Sequence, residues 1–507
     1  MPSFRQFIIY LSLLGCGSLI GYESTYLNGV LSSPDFVERY GVYDAADGWY
    51  LTPAIRSLFT SMMMIGTLFG ASATAYMPLR FGCRGVFAIA AAFMAVGIIL
   101  QMISVGGPAV FIVGRILEGY TLGVISVYVP AYLTESVRPA IRGRMIASWE
   151  QVATFGNVTA NIINYGTSFA KGPPSWRVTI GFQCLHVVFL FMAATLAPES
   201  PVMLVKQGKP QEASKSLAVL RNTDANADGI VTEMRDIKSS LALDEPVTLR
   251  SYLECFKGNN LRRQVIGIVM SIFGVYVGIG FFLAYGTSFF KAAGVNDAYL
   301  VSLILAIVMS TFTLPALYTM DRFGRRKLLL FSAVLQALFM LLAGIVHSTK
   351  SASSVANNAL IAFSVLFIAT YAGTWGPVSW CTMTELWSWR LRNQHMNISL
   401  LSYWIFNWIL GFVLPYIIDP TAGNLGINVT YIFGGINVLA FFWVFFCFPD
   451  VTGLSFAEVD QLFAEKVPAR HSIAWGRARR VLNAETVIES TESIDQKQTV
   501  QETKIDV

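Results

Sequence analysis

Long apolar runs, each closed by a short polar or charged segment, follow one another through most of this chain. Stretches of about 20 apolar residues, the length that crosses ~30 Å of hydrocarbon, recur about twelve times. The predicted spans are 7–27, 54–78, 86–104, 108–130, 145–166 and 178–196, then 264–290, 299–320, 328–347, 358–383, 395–418 and 429–448. The pattern predicts an all-α membrane protein with twelve transmembrane helices in two six-helix halves.

Polar segments divide the chain into four parts. We predict an N-terminal bundle over 1–198, a cytoplasmic linker with short helices over 199–263, a C-terminal bundle over 264–463 and a cytoplasmic tail over 464–507. The tail is rich in Glu, Thr, Ser, Gln and Lys. Because such a segment buries too little apolar surface to offset the entropy of ordering, we predict that it is disordered.

The composition agrees with a membrane protein. Hydrophobic residues make up 54% of the 507 residues and charged residues only 13%, whereas soluble domains carry roughly 25% charged residues. The six cysteines show no CxxC or CxxH spacing, which predicts neither a zinc site nor a disulfide framework. No metal or cofactor is predicted.

Arginine and lysine are concentrated in alternate loops, at 80–84, 138–144, 322–327 and 390–392. Because loops rich in these residues stay on the cytoplasmic side, both termini are predicted to be cytoplasmic. The opposite loops are poor in basic residues. One of them contains the sequon Asn428-Val429-Thr430, which makes Asn428 a predicted glycosylation site.

A similar set of polar residues recurs in both halves, each after a long apolar run. The first set is Gly114-Arg115, Pro130, Tyr132, Glu135, Pro139, Arg142 and Gly143. The second set is Asp321-Arg322-Phe323-Gly324-Arg325-Arg326, Gly376-Pro377, Trp380, Glu385, Arg390 and Arg392. Such a repeat is typical of a duplicated helical bundle with short cytoplasmic hairpins, and it indicates a membrane transporter.

On these motifs the chain resembles a sugar porter of the major facilitator superfamily, in its fungal form, over nearly its whole length. Further matching motifs are Gly21-Tyr22-Glu23, Trp176-Arg177 followed by Gln183, Pro198-Glu199-Ser200-Pro201, Asn260-Leu261-Arg262-Arg263 and Pro449-Asp450-Val451-Thr452-Gly453. The resemblance implies a proton-coupled secondary transporter in the plasma membrane, acting as a monomer by alternating access. Its partners would be a small solute (a sugar or polyol by family weight), protons and the lipid bilayer, with no nucleic acid.

Proton coupling is assigned to Glu23 and Arg115. A carboxylate inside a membrane span is costly unless it is paired or protonated, which favours a functional role. The resemblance implies the same pair, because proton-coupled relatives carry an acid after Gly-Tyr in the first span and an arginine at the start of the fourth. The alternative is a static buried ion pair.

Charged residues at the cytoplasmic helix ends are predicted to form ion pairs that hold the halves together when the inner side is shut. The candidates are Glu135, Arg142, Glu199, Asp321, Arg325, Arg326, Glu385 and Arg392. Alternatively, the basic members only set the orientation in the membrane. In the first half the family pattern Asp-Arg-x-Gly-Arg-Arg becomes Leu79-Arg80-Phe81-Gly82-Cys83-Arg84, which predicts a weaker gate there.

The candidate substrate site departs from the resemblance. Glu150 stands where sugar porters carry a Gln, eight residues after Arg142 and thus about 12 Å along a helix. The amides expected in the seventh and eleventh spans are replaced by Gly274, Val275, Gly280 and Tyr403. The candidate substrate-binding residues are Glu150, Gln151, Asn157, Gln183, Tyr285, Trp380, Tyr403 and Asn407.

Several interpretations of this site stay open. Glu150 either binds a cationic or hydrogen-bond-donating solute, or is a second protonation site, or pairs with a polar side chain such as Asn161. Trp380 and Tyr403 either line the pocket or pack between helices. A sugar needs many convergent polar groups, so a less hydroxylated solute, such as an organic acid or a secondary metabolite, is a competing substrate.

Two other classes of function were considered. A non-transporting nutrient receptor with the same fold is one alternative, although the tail after Phe463 is short and unrepetitive. An enzyme is not predicted, because the sequence contains no nucleophile–base pair, metal-ligand spacing or phosphate-binding GxxxxGK[ST] motif.

Overall fold

The computed structural model describes residues 4–45, 48–103, 107–138, 141–242, 249–349, 354–454 and 456–479. The first part of the chain forms α1 (Phe4–Val30), α2 (Pro34–Tyr40), β1 (Val42–Asp44), β2 (Gly48–Tyr50), α3 (Pro53–Ala73), α4 (Met77–Ile103), α5 (Pro108–Ser136), α6 (Arg142–Thr167), α7 (Pro174–Gly181) and α8 (Cys184–Leu196). Strands β1 and β2 form an antiparallel hairpin in which Val42 pairs with Tyr50. The sixth span is the pair α7 and α8.

Four short helices follow, namely α9 (Pro201–Lys206), α10 (Pro210–Arg221), α11 (Asp228–Ala242) and α12 (Leu249–Glu254). Arg221 of α10 donates to the Ser136 carbonyl at 2.7 Å and to Glu233 at 3.0 Å, which fixes α10 and α11 to the end of α5. Tyr252 of α12 instead accepts from Asn397, in the second half, at 3.1 Å. We call the end of the bundle that carries these helices the linker side, and the other end the hairpin side.

The second part forms α13 (Gly258–Tyr276), α14 (Ile279–Ala292), α15 (Ala298–Phe323), α16 (Arg325–Thr349), α17 (Ser354–Gly373), α18 (Trp375–Glu385), α19 (Arg392–Ile418), α20 (Val429–Cys447) and α21 (Phe456–Ala464). Short 3₁₀ turns occupy Trp389–Leu391, Gly426–Asn428 and Ala469–His471. The seventh span breaks at Gly278, whose φ of +116° suits glycine, and the tenth breaks at Thr374.

Within the described residues, eleven helical segments are long and apolar enough to cross a membrane. The fifth predicted span, α6, is not among them, because it carries the polar residues Glu150, Gln151, Asn157, Asn161 and Asn164. Helix α6 packs against α1 within its own half and against α15 of the other half. A polar span in this position faces the middle of the protein.

Glycines bring the helices of the first half into backbone contact. A Cβ added at Gly21 of α1 would lie 1.8 Å from the Ala153 carbonyl oxygen of α6, and one at Gly156 would lie 1.9 Å from that of Ser18. The same holds between α3 and α5, where a Cβ at Gly66 or Gly119 would lie 2.0 Å from a backbone oxygen. Small residues at such crossings allow the close packing on which helix association in membranes depends.

The chain is folded beyond α21. Trp475 donates to Glu465 at 2.8 Å, and the Asp450 amide donates to Ser472 at 2.9 Å, so 469–479 packs against the second half. Residues 480–507 lie outside the described residues. The predicted disorder of the tail therefore does not hold for 469–479 and stays a prediction for 480–507, as do the predicted part boundaries.

Candidate functional site

A buried cluster of two acids and one arginine lies inside the first half. Glu23 of α1 and Glu118 of α5 each place a carboxylate oxygen beside Nη1 of Arg115, at 3.2 and 3.3 Å. All three side chains are at most 1% exposed. The structure thus brings together the two residues predicted for proton coupling and adds Glu118, which the sequence reasoning missed.

Polar neighbours surround this cluster. Arg115 Nη1 also donates to the Tyr26 hydroxyl at 2.8 Å, and Arg115 Nε donates to the Phe59 carbonyl at 3.1 Å. The Tyr26 hydroxyl lies 3.0 Å from both Glu118 and Gln101. The two acids therefore belong to a network of hydrogen bonds that joins α1, α4 and α5.

Gln183, predicted as a substrate ligand, lies in this cluster. With its amide nitrogen turned towards the acids, it donates to Glu118 at 2.6 Å and to Glu23 at 3.3 Å. It is fully buried. The depth of Gln183 along its helix follows from the sequence, whereas the direction of its side chain does not.

The charges of the cluster do not cancel when both acids are ionised. Two carboxylates and one guanidinium leave a net charge of −1 in a place without water contact, which is strongly unfavourable. One bound proton makes the cluster neutral. Because both carboxylates contact the same arginine, a proton bound here would be shared by Glu23 and Glu118.

A small cavity lies between the two halves. Its polar wall comes mainly from the first half, with Thr25, Asn28, Asn157 and Asn161. Its apolar wall comes from the second half and consists of Phe282, Leu283, Leu305, Ala306, Met309 and Ile368. Within the described part of the chain, Thr25 Oγ1 and Asn28 Nδ2 are buried and make no hydrogen bond. Such atoms are where a polar solute gains most from binding.

Of the predicted substrate residues, Asn157 lines this cavity. Its side-chain oxygen accepts from Asn161 at 2.8 Å. Sequence reasoning assigned no role to Thr25 or Asn28. Their spacing could have indicated a shared role, because Thr25 and Asn28 are three residues apart and therefore lie on one face of α1.

Glu150 lies closer to the linker side, two helical turns before Asn157 on α6. Its carboxylate is in electrostatic contact with Tyr371 of α17 and Tyr403 of α19. The ring of Trp380 packs against that of Tyr403 with 5.2 Å between centroids. The Asn407 side chain, also predicted for this site, lies beside Tyr403. These four predicted residues are therefore neighbours.

The remaining predicted ligands join the halves. Gln151 of α6 donates to Ser310 Oγ of α15 at 2.9 Å, in the middle of the bundle. Tyr285 of α14 donates to the Gly411 carbonyl at 3.0 Å and contacts Thr60 of α3. Both side chains hold helices together in this conformation.

On the hairpin side, the two halves are joined by hydrogen bonds in which at most one of the two partners is charged. Asn28 accepts from the Thr287 amide at 2.9 Å, and Lys291 donates to the Ser32 carbonyl at 2.7 Å. Tyr299 donates to the Gly29 carbonyl at 3.0 Å. The hydrogen bonds between halves that the described residues form lie on this side or in the middle of the bundle.

The predicted gating residues of the second half form pairs within that half. Arg325 contacts Glu385 at 2.7 Å, and Arg326 donates to the Phe445 carbonyl at 2.7 Å. Arg392 is in electrostatic contact with Glu385. The side chains of Arg142 and Asp321 lie outside the described part of the chain.

The first half has a similar arrangement without the arginine. Glu199 accepts from the backbone amides of Cys83 and Arg84, at 2.6 and 3.4 Å, beside Gly82 with its φ of +66°. Glu135 accepts from the Ser200 hydroxyl. Cys83 stands where the second half has Arg325, so Glu135 lacks the counterpart of the Arg325–Glu385 pair.

Placing an arginine at position 83 is expected to supply that pair. In Cys83→Arg the new guanidinium should reach Glu135 and raise the free energy of unfolding by about 1–3 kcal/mol, as a hydrogen bond to a charged group does. The measurement is thermal unfolding of the purified protein in detergent. Cys83→Met controls for size, and an equal gain in that variant, or in Cys83→Arg combined with Glu135→Gln, would contradict the pairing.

Asn428 is exposed on the hairpin side, and Thr430 of its sequon is buried and donates to the Ile427 carbonyl at 2.9 Å. Glycosylation of Asn428 stays a prediction.

The chain is similar to known proteins over most of its length. The profile of the family described as "Sugar (and other) transporter" matches residues 9–463. The high glucose sensor RGT2 of Saccharomyces cerevisiae is 32% identical over 92% of this chain, and the match covers 61% of the sensor's own length. The major facilitator-type transporter ecdD of Aspergillus rugulosus is 30% identical over 90% of this chain and 87% of that protein.

Among solved structures, the xylose transporter XylE from E. coli, in a partially occluded inward-open conformation, superposes with a TM-score of 0.73. That comparison covers 89% of this chain and 100% of the other at 23% identity, so it bears on the fold alone. The predicted all-α fold of twelve spans in two halves is confirmed.

Proposed function

Because this chain belongs to the sugar-porter family of membrane transporters, which are not enzymes, we propose that it moves a small organic solute across the membrane by alternating access, coupled to protons. The observation that carries the coupling is the buried cluster of Glu23, Glu118 and Arg115. Its neutral form needs one proton, as derived above. A carrier that holds this proton in one conformation and releases it in another couples the two movements.

Helix α1 links the proton site to the cavity. Glu23 lies in the cluster, whereas Thr25 and Asn28, on the same helix, line the cavity. Asn28 also binds the Thr287 amide across the halves. A change in the charge of the cluster therefore acts on the helix that contacts both the solute and the closure on the hairpin side.

The contacts on the hairpin side suit a gate. They are a few hydrogen bonds, each worth about 0.5–1.5 kcal/mol net, so each of them can break and re-form at modest cost. We infer that this conformation is closed on the hairpin side. We also infer that the linker side is cytoplasmic in the plasma membrane, because the loops rich in arginine lie there.

Removing either acid is expected to uncouple transport. In Glu23→Gln or Glu118→Gln, one carboxylate remains against Arg115, and this neutral pair needs no proton. The charged and titratable groups facing the site, namely Arg115, Tyr22, Tyr26 and the other acid, remain in place. In proteoliposomes, solute accumulation driven by a pH gradient should fall at least tenfold, while downhill flux continues. Glucose, xylose and sorbitol are the first solutes to test, given the family.

Glu212→Gln is the matched control, because Glu212 is exposed on the linker side and pairs only with Lys209 among described residues. It should leave accumulation unchanged. Accumulation that persists in both cluster variants, or a wild-type flux that does not respond to pH, would refute proton coupling.

A receptor is the second candidate, because RGT2, a sensor, is among the similar proteins. A receptor binds its solute without moving it. In the same proteoliposomes it would show saturable binding and no flux in either direction, whereas a carrier shows both.

A further inference from the structure

Glu150 is an acid without a partner in the middle of the protein. Its side chain lies inside the bundle, retains some accessible surface, and makes no hydrogen bond or ion pair with any described residue. The titratable groups that face it are Tyr371 from α17 and Tyr403 from α19. Among the described side chains of α1, α5, α7 and α15, which also pack on α6, no charged group acts on Glu150.

This environment differs from that of the other buried acids. Glu23 and Glu118 have Arg115 and a ring of hydrogen-bond donors, whereas Glu150 faces Tyr371 and Tyr403 and retains some accessible surface. An ionised carboxylate cannot stay unpaired in such a place, so it binds either a proton or a cation. The two occupants exclude each other because they neutralise the same charge.

The surroundings favour an organic cation. Tyr371 and Tyr403 face the carboxylate, Trp380 packs against Tyr403, and aromatic rings attract ammonium groups. Two turns along α6, the cavity has an apolar wall made by Phe282, Met309 and their neighbours. That wall fits a hydrocarbon ring better than a hexose, whose hydroxyl groups would lose their hydrogen bonds against it.

We propose that Glu150 binds a small organic cation whose apolar ring lies towards the cavity and whose ammonium group pairs with the Glu150 carboxylate in exchange for a proton. The inference rests on the proposed function and names the solute class of the same site. When the cation arrives, the Glu150 carboxyl group releases its proton to water, and the positive charge of the ammonium group pairs with the resulting carboxylate. Charge balances, and solute and proton move in opposite directions at this site.

The test uses the full chain in detergent with dicyclohexylcarbodiimide, which reacts with protonated carboxyl groups in apolar surroundings. Labelling at Glu150 is followed by mass spectrometry of the peptide. The probes are phenethylamine and benzyltrimethylammonium, and 2-phenylethanol serves as the uncharged counterpart of the first. Labelling is expected to rise from pH 8 to pH 6 and to fall at least fivefold with either cation, but not with the alcohol.

A second measurement guards against a labelling artefact. Binding of phenethylamine, followed by calorimetry, should weaken at least tenfold in Glu150→Gln and remain unchanged in Glu212→Gln. Protection by the alcohol equal to that by the amine, no protection by either cation, or unchanged binding in Glu150→Gln would each overturn the proposal. Failure of the proposed function would appear in a different experiment. In proteoliposomes, solute accumulation driven by a pH gradient would then be the same in Glu23→Gln and Glu118→Gln as in the parent protein.

Discussion

Replacing Arg115 with methionine is expected to destabilise the protein more than any other single change in the first half. The variant keeps the volume of the side chain but leaves Glu23 and Glu118 buried without a cation. Removing one partner of a buried ion pair costs about 3–5 kcal/mol, and here one arginine serves two acids. The measurement is thermal unfolding in detergent, which should show a fall of that size at pH 7.

The pH dependence identifies the cause. In Arg115→Met both acids must hold protons in the folded state but not in the unfolded state, so the free energy of unfolding should fall as pH rises. Adding Glu23→Gln and Glu118→Gln removes the buried charge and should recover most of the stability without restoring coupled transport. An Arg115→Met variant as stable as the parent at pH 7 and pH 8 would show that the arginine does not compensate the acids.

Sequence motifs located the centre of the proton site but not its full membership. Glu23 and Arg115 were found because an acid and an arginine in apolar spans are rare and costly. Glu118 lies three residues after Arg115, on the same face of α5, yet this spacing shows only that the two are neighbours. Whether that face points to α1 or to lipid depends on tertiary packing, which a single sequence does not encode in an easily read form.

The same limit applies to the candidate substrate site, where residues were predicted that the structure places elsewhere. Gln183 and Asn157 are both polar residues near the middle of predicted spans, and both were predicted as ligands. The structure places Asn157 on the cavity wall and Gln183 against Glu23 and Glu118. The unusual Glu150 was visible in the sequence, whereas its isolation from every described cation became visible only in three dimensions.

The difference between the two halves was easier to predict, because it resides in local motifs. The missing arginine at Cys83 was read directly from the sequence, and the structure shows its consequence, a Glu135 bound by Ser200 while Glu385 binds Arg325. The close helix contacts at glycines are only partly predictable from the sequence. Glycines in spans are common, and the sequence does not tell which of them touch another helix.

Gly156→Leu is expected to separate α1 from α6 and to unfold a large fraction of the protein. Even a single added carbon would lie 1.9 Å from the Ser18 carbonyl oxygen, a rigid backbone atom, so one helix must move by more than about 1 Å. Overpacking of this kind typically costs about 1–3 kcal/mol and occasionally more. Since α1 carries Glu23 and α6 carries Glu150 and Asn157, the same movement should disturb both sites.

The chain offers a matched control on the same helix. Gly166 also lies in α6, but an added Cβ there has nothing within 4 Å. Gly166→Leu should therefore be neutral or slightly stabilising, because leucine favours a helix over glycine by roughly 0.5–1 kcal/mol. The comparison uses the folded fraction after size-exclusion chromatography and the unfolding midpoint of both variants. Equal stability of the two would mean that α1 and α6 do not meet backbone to backbone, and the shared placement of the proton site and the cavity along α1 would then have to be abandoned.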